Sequence, residues 1–229
     1  MKAVIMAGGF GTRLRPLTCN IPKPVVNVAN RPIMEHILAL LKAHGLVDVT
    51  AILYHQPEII RDAFKDGSEF GVTINYVKTE ADLGTAGAVK YSTTGVKDTF
   101  LVISGDVLTD IDLTRSIEFH KKKKSLFTIV LTRVPNPLAF GVVIAEKSGK
   151  ITKFLEKPSW GEVFSDTVNT GIYIIEPEAM KFVPDNKEFD FSKNLFPILM
   201  ENKIQIWGHV AHGYWRDVGN INEYRTAHY

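Results

Sequence analysis

Apolar and polar positions alternate in two different rhythms along this chain. In the first part, short runs rich in β-branched residues recur at Ala3 to Met6, Val49 to Leu53, Thr73 to Val77 and Phe100 to Ile103, with helix-period patterns between them. That alternation predicts a parallel sheet covered by helices. The clearest helix runs from about Pro32 to His44: Ile33, Ile37, Leu40 and Leu41 share one face, Asn30 is placed to cap, Pro32 stands near the first turn and Gly45 stops it. After about Lys124 the pattern shortens to strand-like pieces separated by turns, at Phe127 to Leu131, Gly141 to Ala145, Ile151 to Leu155 and Val168 to Ile175. These predict added, partly antiparallel sheet rather than further βαβ units. A helical pattern at Phe191 to Met200 follows, then strand candidates Ile204 to Trp207 and Tyr214 to Val218. The expected class is therefore α/β, a Rossmann-like, mixed but mainly parallel sheet flanked by helices.

Composition narrows the picture. The chain has 229 residues, 45% hydrophobic and 23% charged, enough for one large α/β domain or two small ones. With no Gly/Ser linker, low-complexity tract or internal repeat, we expect a single domain, 1–229, with one half over about 1–124 and another over about 125–229. No apolar stretch approaches the roughly 20 residues of a membrane span, and the N-terminus lacks the features of a signal peptide, so a cytoplasmic chain without a membrane partner is expected. The single cysteine, Cys19, rules out an internal disulfide and any cysteine-based metal cluster, and reads as an incidental small residue. A net charge of +2 argues against a nucleic-acid surface, and Lys121 to Lys124 read as a solvated helix end.

Candidate chemistry begins at Met6 to Thr18, MAGGFGTRLRPLT, directly after the first predicted strand. It is not a Walker A loop, because no Gly-Lys-Ser/Thr closes it, and not G-x-G-x-x-G, because Leu14 stands where the third glycine belongs. A parallel sheet delivers such a turn to its carboxyl edge, where backbone N–H groups approach a nucleotide and Arg13 offers an always-charged fork to phosphates. Alone, the turn reads equally as a glycine loop whose arginine faces solvent. Lys23, stiffened between Pro22 and Pro24, adds a second cation in a loop better placed for a ligand than for a helix surface. Asp106 follows the strand ending at Ile103 and suits Mg²⁺, though it could equally cap the helix near Asp112 or close a turn. Asp217 is its candidate partner, or else a turn residue ahead of the Asn220/Glu223 capping pattern. Glu156 and Lys157 before Pro158 can accept from sugar hydroxyls and bind phosphate, and Asn169 with Gly171 can line a sugar edge.

Together, Gly8-Gly9-Phe10-Gly11-Thr12-Arg13-Leu14, Pro22-Lys23-Pro24, Leu83-Gly84-Thr85-Ala86-Gly87-Ala88, Gly105-Asp106, Phe140-Gly141-Val142-Val143, Glu156-Lys157-Pro158, Asn169-Thr170-Gly171 and Trp215-Arg216-Asp217-Val218-Gly219 resemble the ordered motifs of sugar-1-phosphate nucleotidylyltransferases, from Met1 to about Tyr229. The resemblance implies a glycosyltransferase-A-like nucleotidyltransferase fold, with a nucleotide-binding half to about residue 124 and a sugar-phosphate-binding half beyond it. It implies transfer of a nucleotidyl group from a nucleoside triphosphate to a sugar 1-phosphate, with release of pyrophosphate. Ala7, Gly8, Gly9, Gly11 and Thr12 would contact the nucleotide, Arg13 the triphosphate, Lys23 the reacting phosphates, and Gly84 and Thr85 the base. Asp106 and Asp217 would bind Mg²⁺, and Gly141, Glu156, Lys157, Asn169 and Gly171 would hold the sugar phosphate. Leu83 to Ala88 looks most like mannose-1-phosphate guanylyltransferases, implying GTP and mannose 1-phosphate. Glu80 and Asp82 stand where uridylyl- and thymidylyltransferases, the alternatives on the same fold, often carry glutamine. A non-catalytic regulatory relative would be expected to lack some of Arg13, Lys23, Asp106 and Asp217, and all are present. In the family many members continue past this point into a left-handed β-helix or a second enzymatic domain, so the expectation is a short enzyme or a catalytic domain of a longer multidomain chain, with a homo-oligomer among the expected assemblies.

Overall fold

The computed structural model describes residues 1–163 and 165–229. In chain order its elements are β1 (Lys2–Met6), β2 (Asn27–Val28), β3 (Arg31–Pro32), α1 (Ile33–Ala43), β4 (Asp48–Leu53), α2 (Pro57–Phe64), β5 (Thr73–Lys78), α3 (Gly84–Ser92), β6 (Phe100–Ser104) and β7 (Val107–Thr109). They continue with α4 (Leu113–Lys123), β8 (Phe127–Arg133), β9 (Gly141–Ala145), β10 (Ile151–Glu156), β11 (Thr167–Ile175), α5 (Phe196–Glu201), β12 (Ile206–Val210), β13 (Trp215–Asp217) and α6 (Ile221–Thr226). The chain packs as two compact units that interleave in sequence: Met1–Asp82 with Val102–Ile111 and Gly213–Tyr229, and Leu83–Leu101 with Asp112–His212. Among the described residues no helix is long and apolar enough to cross a membrane.

In the first unit the strand order is β6-β1-β4-β5. β1 and β4 run parallel, Ala3 opposite Val49 and Met6 opposite Ile52, and β5 runs parallel to β4 beyond it. Ala3, Val4, Ile5, Val49, Ala51 and Leu53 are all fully buried, so both faces of these strands are covered, as continuous apolar runs require. α1 buries Ile33, Met34, Ile37, Leu38 and Leu41. Its start differs from expectation: Pro32 is the cap residue, and Asn30 caps nothing. Ala29 and Asn30 instead take positive φ of 49° and 64° to join β2 to β3, the backbone that a two-residue hairpin turn demands and that Asn tolerates well.

In the second unit β8 lies between β11, antiparallel, and β12, parallel. β9 meets β11 at Val142 and Val168 and pairs antiparallel with β10, so the sheet here is mixed, as the shortened pattern suggests. Phe127, Tyr173, Phe191 and Phe196 form an aromatic core with centroids 4.8 to 6.1 Å apart. α4 begins at Asp112, whose carboxylate accepts from the Arg115 N–H at 3.1 Å, and ends in the lysine run with Lys124 left-handed. The Phe191–Met200 pattern divides into a π-helical turn over Phe191–Leu195 and the α-helix α5. Pro197 in the first turn of α5 has no N–H to donate, which removes one rung of the ladder at that junction.

His120 closes this core from α4. It is 1% exposed, its Nδ1 lies 2.8 Å from Thr128 Oγ1, and its Nε2 lies 3.0 Å from Glu176 Oε1, which also accepts from Thr99 Oγ1 at 2.7 Å. Burial pushes the imidazole below its ordinary value of 6.5, against the opposing pull of Glu176. Because the folded value is the lower one, the unfolded chain takes up the proton first. This contribution to stability is therefore complete well above pH 6.5 and is lost as the pH falls through 6.5 towards the depressed folded value. Urea midpoints at pH 8 and pH ~5.5 are expected to fall less in His120→Gln than in the unaltered protein; equal falls would contradict a buried neutral imidazole.

Candidate active site

β1 ends at Met6, and the glycine-rich turn begins where the backbone must pass close to β4. A side chain at Gly8 would sit 3.0 Å from Tyr54 Cβ and 3.2 Å from its backbone nitrogen. Gly11 takes φ 64°, and its carbonyl accepts from Thr18 Oγ1 at 2.7 Å and from the Leu14 N–H at 2.9 Å. A 3-10 turn, Thr12–Leu14, follows, with Leu14 fully buried and Arg13 on the outside. Anchoring Leu14 fixes the direction in which Arg13 leaves the turn. Its guanidinium comes within 3.3 Å of where a Cβ on Gly219 would lie, so it rests over the turn that follows Asp217.

Lys23 is drawn inward by the proline-framed turn Lys23–Val25 and is only 8% exposed. Its ammonium donates to Asp106 Oδ2 at 2.5 Å and stands 4.0 Å from Asp217 Oδ1. Asp106 reaches it because the Gly105 N–H bonds to the Met6 carbonyl at 3.0 Å, continuing the β1 edge. Asp217 arrives on β13, paired with Val107 of β7, and the Val218 N–H bonds to the Asp106 carbonyl at 2.9 Å. Neither aspartate caps a helix: Asp112 does so for α4 and Asn220 for α6. Burial works against the Asp106 charge, but the Lys23 ammonium and its hydrogen bond outweigh it and hold that carboxyl below the usual carboxylate range. Asp217 is pushed up to about 7, by burial first and by the Asp106 charge second. The structure thus brings Arg13, Lys23, Asp106 and Asp217 together within the first unit.

The second unit carries the remaining candidates. Gly141 faces Glu156 across the β9/β10 pair, and a Cβ there would sit 2.6 Å from Phe154 Cζ and 3.0 Å from Glu156 Oε2. Burial raises the Glu156 carboxyl, Lys157 opposes that and Asp190 adds to it. Lys157 itself is left-handed, φ 46°, with its N–H bonded to the Phe140 carbonyl at 3.1 Å, an uncommon backbone for a side chain of that size. Asn169 lies in a bulge of β11: its Oδ1 accepts from the Gly171 N–H at 2.9 Å, its Nδ2 donates to Tyr173 Oη at 2.9 Å, and Gly171 has φ 76°.

Gly84 and Thr85 do more structural work than their motif suggests. A Cβ on Gly84 would lie 2.7 Å from the Phe189 carbonyl oxygen, and one on Gly87 2.7 Å from that of Lys187. The Ala86 and Gly87 N–H groups donate to the Phe189 carbonyl at 2.9 and 3.0 Å, satisfying orphan donors at the start of α3. Thr85 Oγ1 donates to Asp190 Oδ2 at 3.0 Å and accepts from the Phe191 N–H at 3.0 Å. Asp190 was not singled out from the sequence. Its local signal is a capping pattern: Oδ1 accepts from the Ser192 and Lys193 N–H groups at 3.0 and 3.4 Å, and its own N–H donates to Asn194 Oδ1 at 2.8 Å; Thr85 bonds to it and the Glu156 charge senses it from distant segments.

Residues 2–229 match the family model described as nucleotidyl transferase. The chain belongs to the nucleotidyl transferase family. Among its relatives, a UTP–glucose-1-phosphate uridylyltransferase of Synechocystis sp. is 38% identical, and the match covers 99% of this chain and 62% of the relative. A mannose-1-phosphate guanylyltransferase of Mycobacterium tuberculosis is 35% identical over 98% of this chain and 62% of its own length. The chain thus spans less than two thirds of these curated relatives. A Bacillus anthracis structure described as a glucose-1-phosphate thymidylyltransferase, in complex with a sucrose, superposes with a TM-score of 0.89 at 26% identity, covering 100% of this chain and 94% of that one. The fold is accordingly the mixed, mainly parallel α/β fold of nucleotidyltransferases, as expected from the sequence.

In this nucleotidyl transferase the donor set of the first unit fits a hard divalent cation. Such an ion takes one or two carboxylates and completes its shell with water and substrate oxygens. Asp217 Oδ1 is buried with no hydrogen-bond partner among the described residues, a costly state that an ion would relieve. The arrangement rests on Gly105, since a Cβ there would lie 2.6 Å from the Met6 carbonyl oxygen and 3.2 Å from Ala7 Cα, both backbone atoms. Gly105→Ala is expected to cost about 1–3 kcal/mol of stability, by forcing β1 and the Asp106 turn apart. Chemical denaturation checks this, and an unshifted midpoint would mean that the backbone has slack there.

Proposed function

We propose that this nucleotidyl transferase joins a nucleoside triphosphate to a sugar 1-phosphate, forming a nucleoside diphosphate sugar and pyrophosphate. The observation that carries the reading is the convergence of Arg13 and Lys23 with Asp106 and Asp217 at the end of β1. In the reaction a phosphate oxygen of the sugar phosphate forms a bond to the α-phosphorus. The bond from that phosphorus to the β-phosphate bridging oxygen breaks, and its electron pair leaves with pyrophosphate. The attacking oxygen is already anionic near neutral pH, so the residues must align and neutralise rather than abstract a proton. Arg13 binds the triphosphate and steadies the departing pyrophosphate. Lys23 offsets the repulsion between two anionic reactants. The turn Ala7, Gly8, Gly9, Gly11 and Thr12 offers the nucleotide backbone N–H groups, with Gly84 and Thr85 assigned to the base. Gly141, Glu156, Lys157, Asn169 and Gly171 are assigned to the sugar phosphate, with Lys157 on its charge. Mg²⁺, for which Asp106 and Asp217 are the donors, would neutralise phosphate charge as a Lewis acid when bound.

For the substrate pair we favour GTP and mannose 1-phosphate, supported by the Leu83–Ala88 motif and by the guanylyltransferase names among the relatives. The Synechocystis relative supports UTP and glucose 1-phosphate as the second reading. Pyrophosphate release, measured with each of the common triphosphates against a panel of sugar 1-phosphates, is expected to be highest with the first pair. Release with no pair overturns the activity itself. Asp106→Asn and Asp217→Asn are each expected to lower kcat about 10²-fold, near 2.7 kcal/mol of transition-state stabilisation. Unchanged turnover in both would remove the two-carboxylate site from the reaction.

A further inference from the structure

Asp217 has a positioning problem. It stands at the end of a three-residue strand whose only strand partner in its two-stranded sheet is β7. A ribbon of that kind is not self-supporting. The carboxylate oxygen Oδ1 makes no hydrogen bond among the described residues and stands 4.0 Å from the Lys23 ammonium, so most of its placement falls to the backbone. One tie, from the Val218 N–H to the Asp106 carbonyl, holds the inner side. Adjacent strand residues point to opposite faces, so Arg216 leaves β13 on the side away from Asp217. There its Nη1 donates to Glu223 Oε2 in α6 and its Nε donates to Tyr214 Oη at 3.2 Å. Both partners of the ion pair are mostly buried, 27% and 34% exposed.

α6 is well placed to serve as the fixed end of this latch. Asn220 caps it through the Glu223 N–H at 3.0 Å. The helix lies against the Thr12–Leu14 turn that carries Arg13, and Tyr224 Oη donates to the Asn27 carbonyl at 2.9 Å, four residues beyond Lys23. Three of the four charged groups of the site are therefore referenced to one short helix. We propose that Arg216 and Glu223 are a positioning pair, which holds Asp217 at the spacing from Asp106 that a divalent cation needs. The proposal rests on the reading of Asp106 and Asp217 as metal carboxylates, and it adds a residue, Glu223, that is not one of the carboxylates assigned to the ion and whose charge is felt at Asp217.

The test uses Mn²⁺ alone, titrated into the purified protein and followed by the free-ion electron paramagnetic resonance signal, alongside thermal melts and kinetics. Glu223→Gln is expected to weaken Mn²⁺ binding about tenfold, in the range of outer-shell substitutions. It should lower kcat with the KM for sugar phosphate little changed. The swapped pair, Arg216→Glu with Glu223→Arg, is expected to bind Mn²⁺ within about threefold of the unaltered protein, because the latch is remade in reverse. A Glu223→Gln protein that melts earlier yet binds Mn²⁺ normally would reduce the pair to a structural contact and overturn the proposal. If Glu223→Gln does not fold, the swap decides: folded but binding no better than Asp217→Asn, it overturns the latch. Asp217→Asn is the separate control, since undiminished Mn²⁺ binding there would sink the metal reading itself.

Discussion

Lys23 compensates two carboxylates that the backbone has forced together, and most of the first unit is arranged around that compensation. Asp106 and Asp217 would repel each other strongly in a desolvated setting, and the ammonium at 2.5 Å from one and 4.0 Å from the other offsets part of that repulsion. Burial first, and the Asp106 charge after it, still leave the Asp217 carboxyl raised to about 7. Keeping a lysine nearly buried requires a stiff approach, which Pro22 and Pro24 supply, and a glycine at 105 so that the acid can come in behind β1. Such a cluster is poor value as a stabilising device. In the reaction proposed above, where anionic reactants and a cation would exchange partners on it, the cluster has a reason to exist.

Much of the strand framework is legible in the sequence alone. The buried strands β1, β4 and β6 announce themselves as short runs rich in apolar and β-branched residues, and the second half's shorter rhythm correctly indicates antiparallel pairing. Lys23 and Asp106 stand out because proline and glycine neighbours restrict what their side chains can do. Illegible features depend on partners far along the chain. Asn30 has the chemistry of a cap, but hairpin closure between β2 and β3 claims its backbone. The resemblance assigns Gly84 to the base, and nothing in its motif announces that the Phe189 backbone lies close above it or that the Lys187 carbonyl lies close above Gly87. Nothing local to residues 83–88 encodes a segment one hundred positions later.

The motif glycines and Asn169 show that a residue can belong to a functional motif and still be fully occupied by the fold. Asn169 has its amide engaged on both sides of a bulge, and Thr85 both donates and accepts within the second unit. Their contribution to binding would then come through the shape they impose on Lys157, Glu156 and the strand ends. Lys157, held at positive φ by its neighbours, carries the cost of that shape most visibly.

The interleaving of the two units also sets an order of assembly. β7 leaves the ribosome roughly a hundred residues before its partner β13, at about 5–20 residues per second, and waits with one edge open. Until the nascent chain has extended past Asp217, the first unit has one of its two acids, and Lys23 is bound to Asp106 alone. A chain interrupted earlier keeps its glycine-rich turn and its parallel strands but has no second carboxylate to complete the charge cluster. Completion of the charge cluster thus waits on the synthesis of β13, a non-local closure of the kind that slows folding.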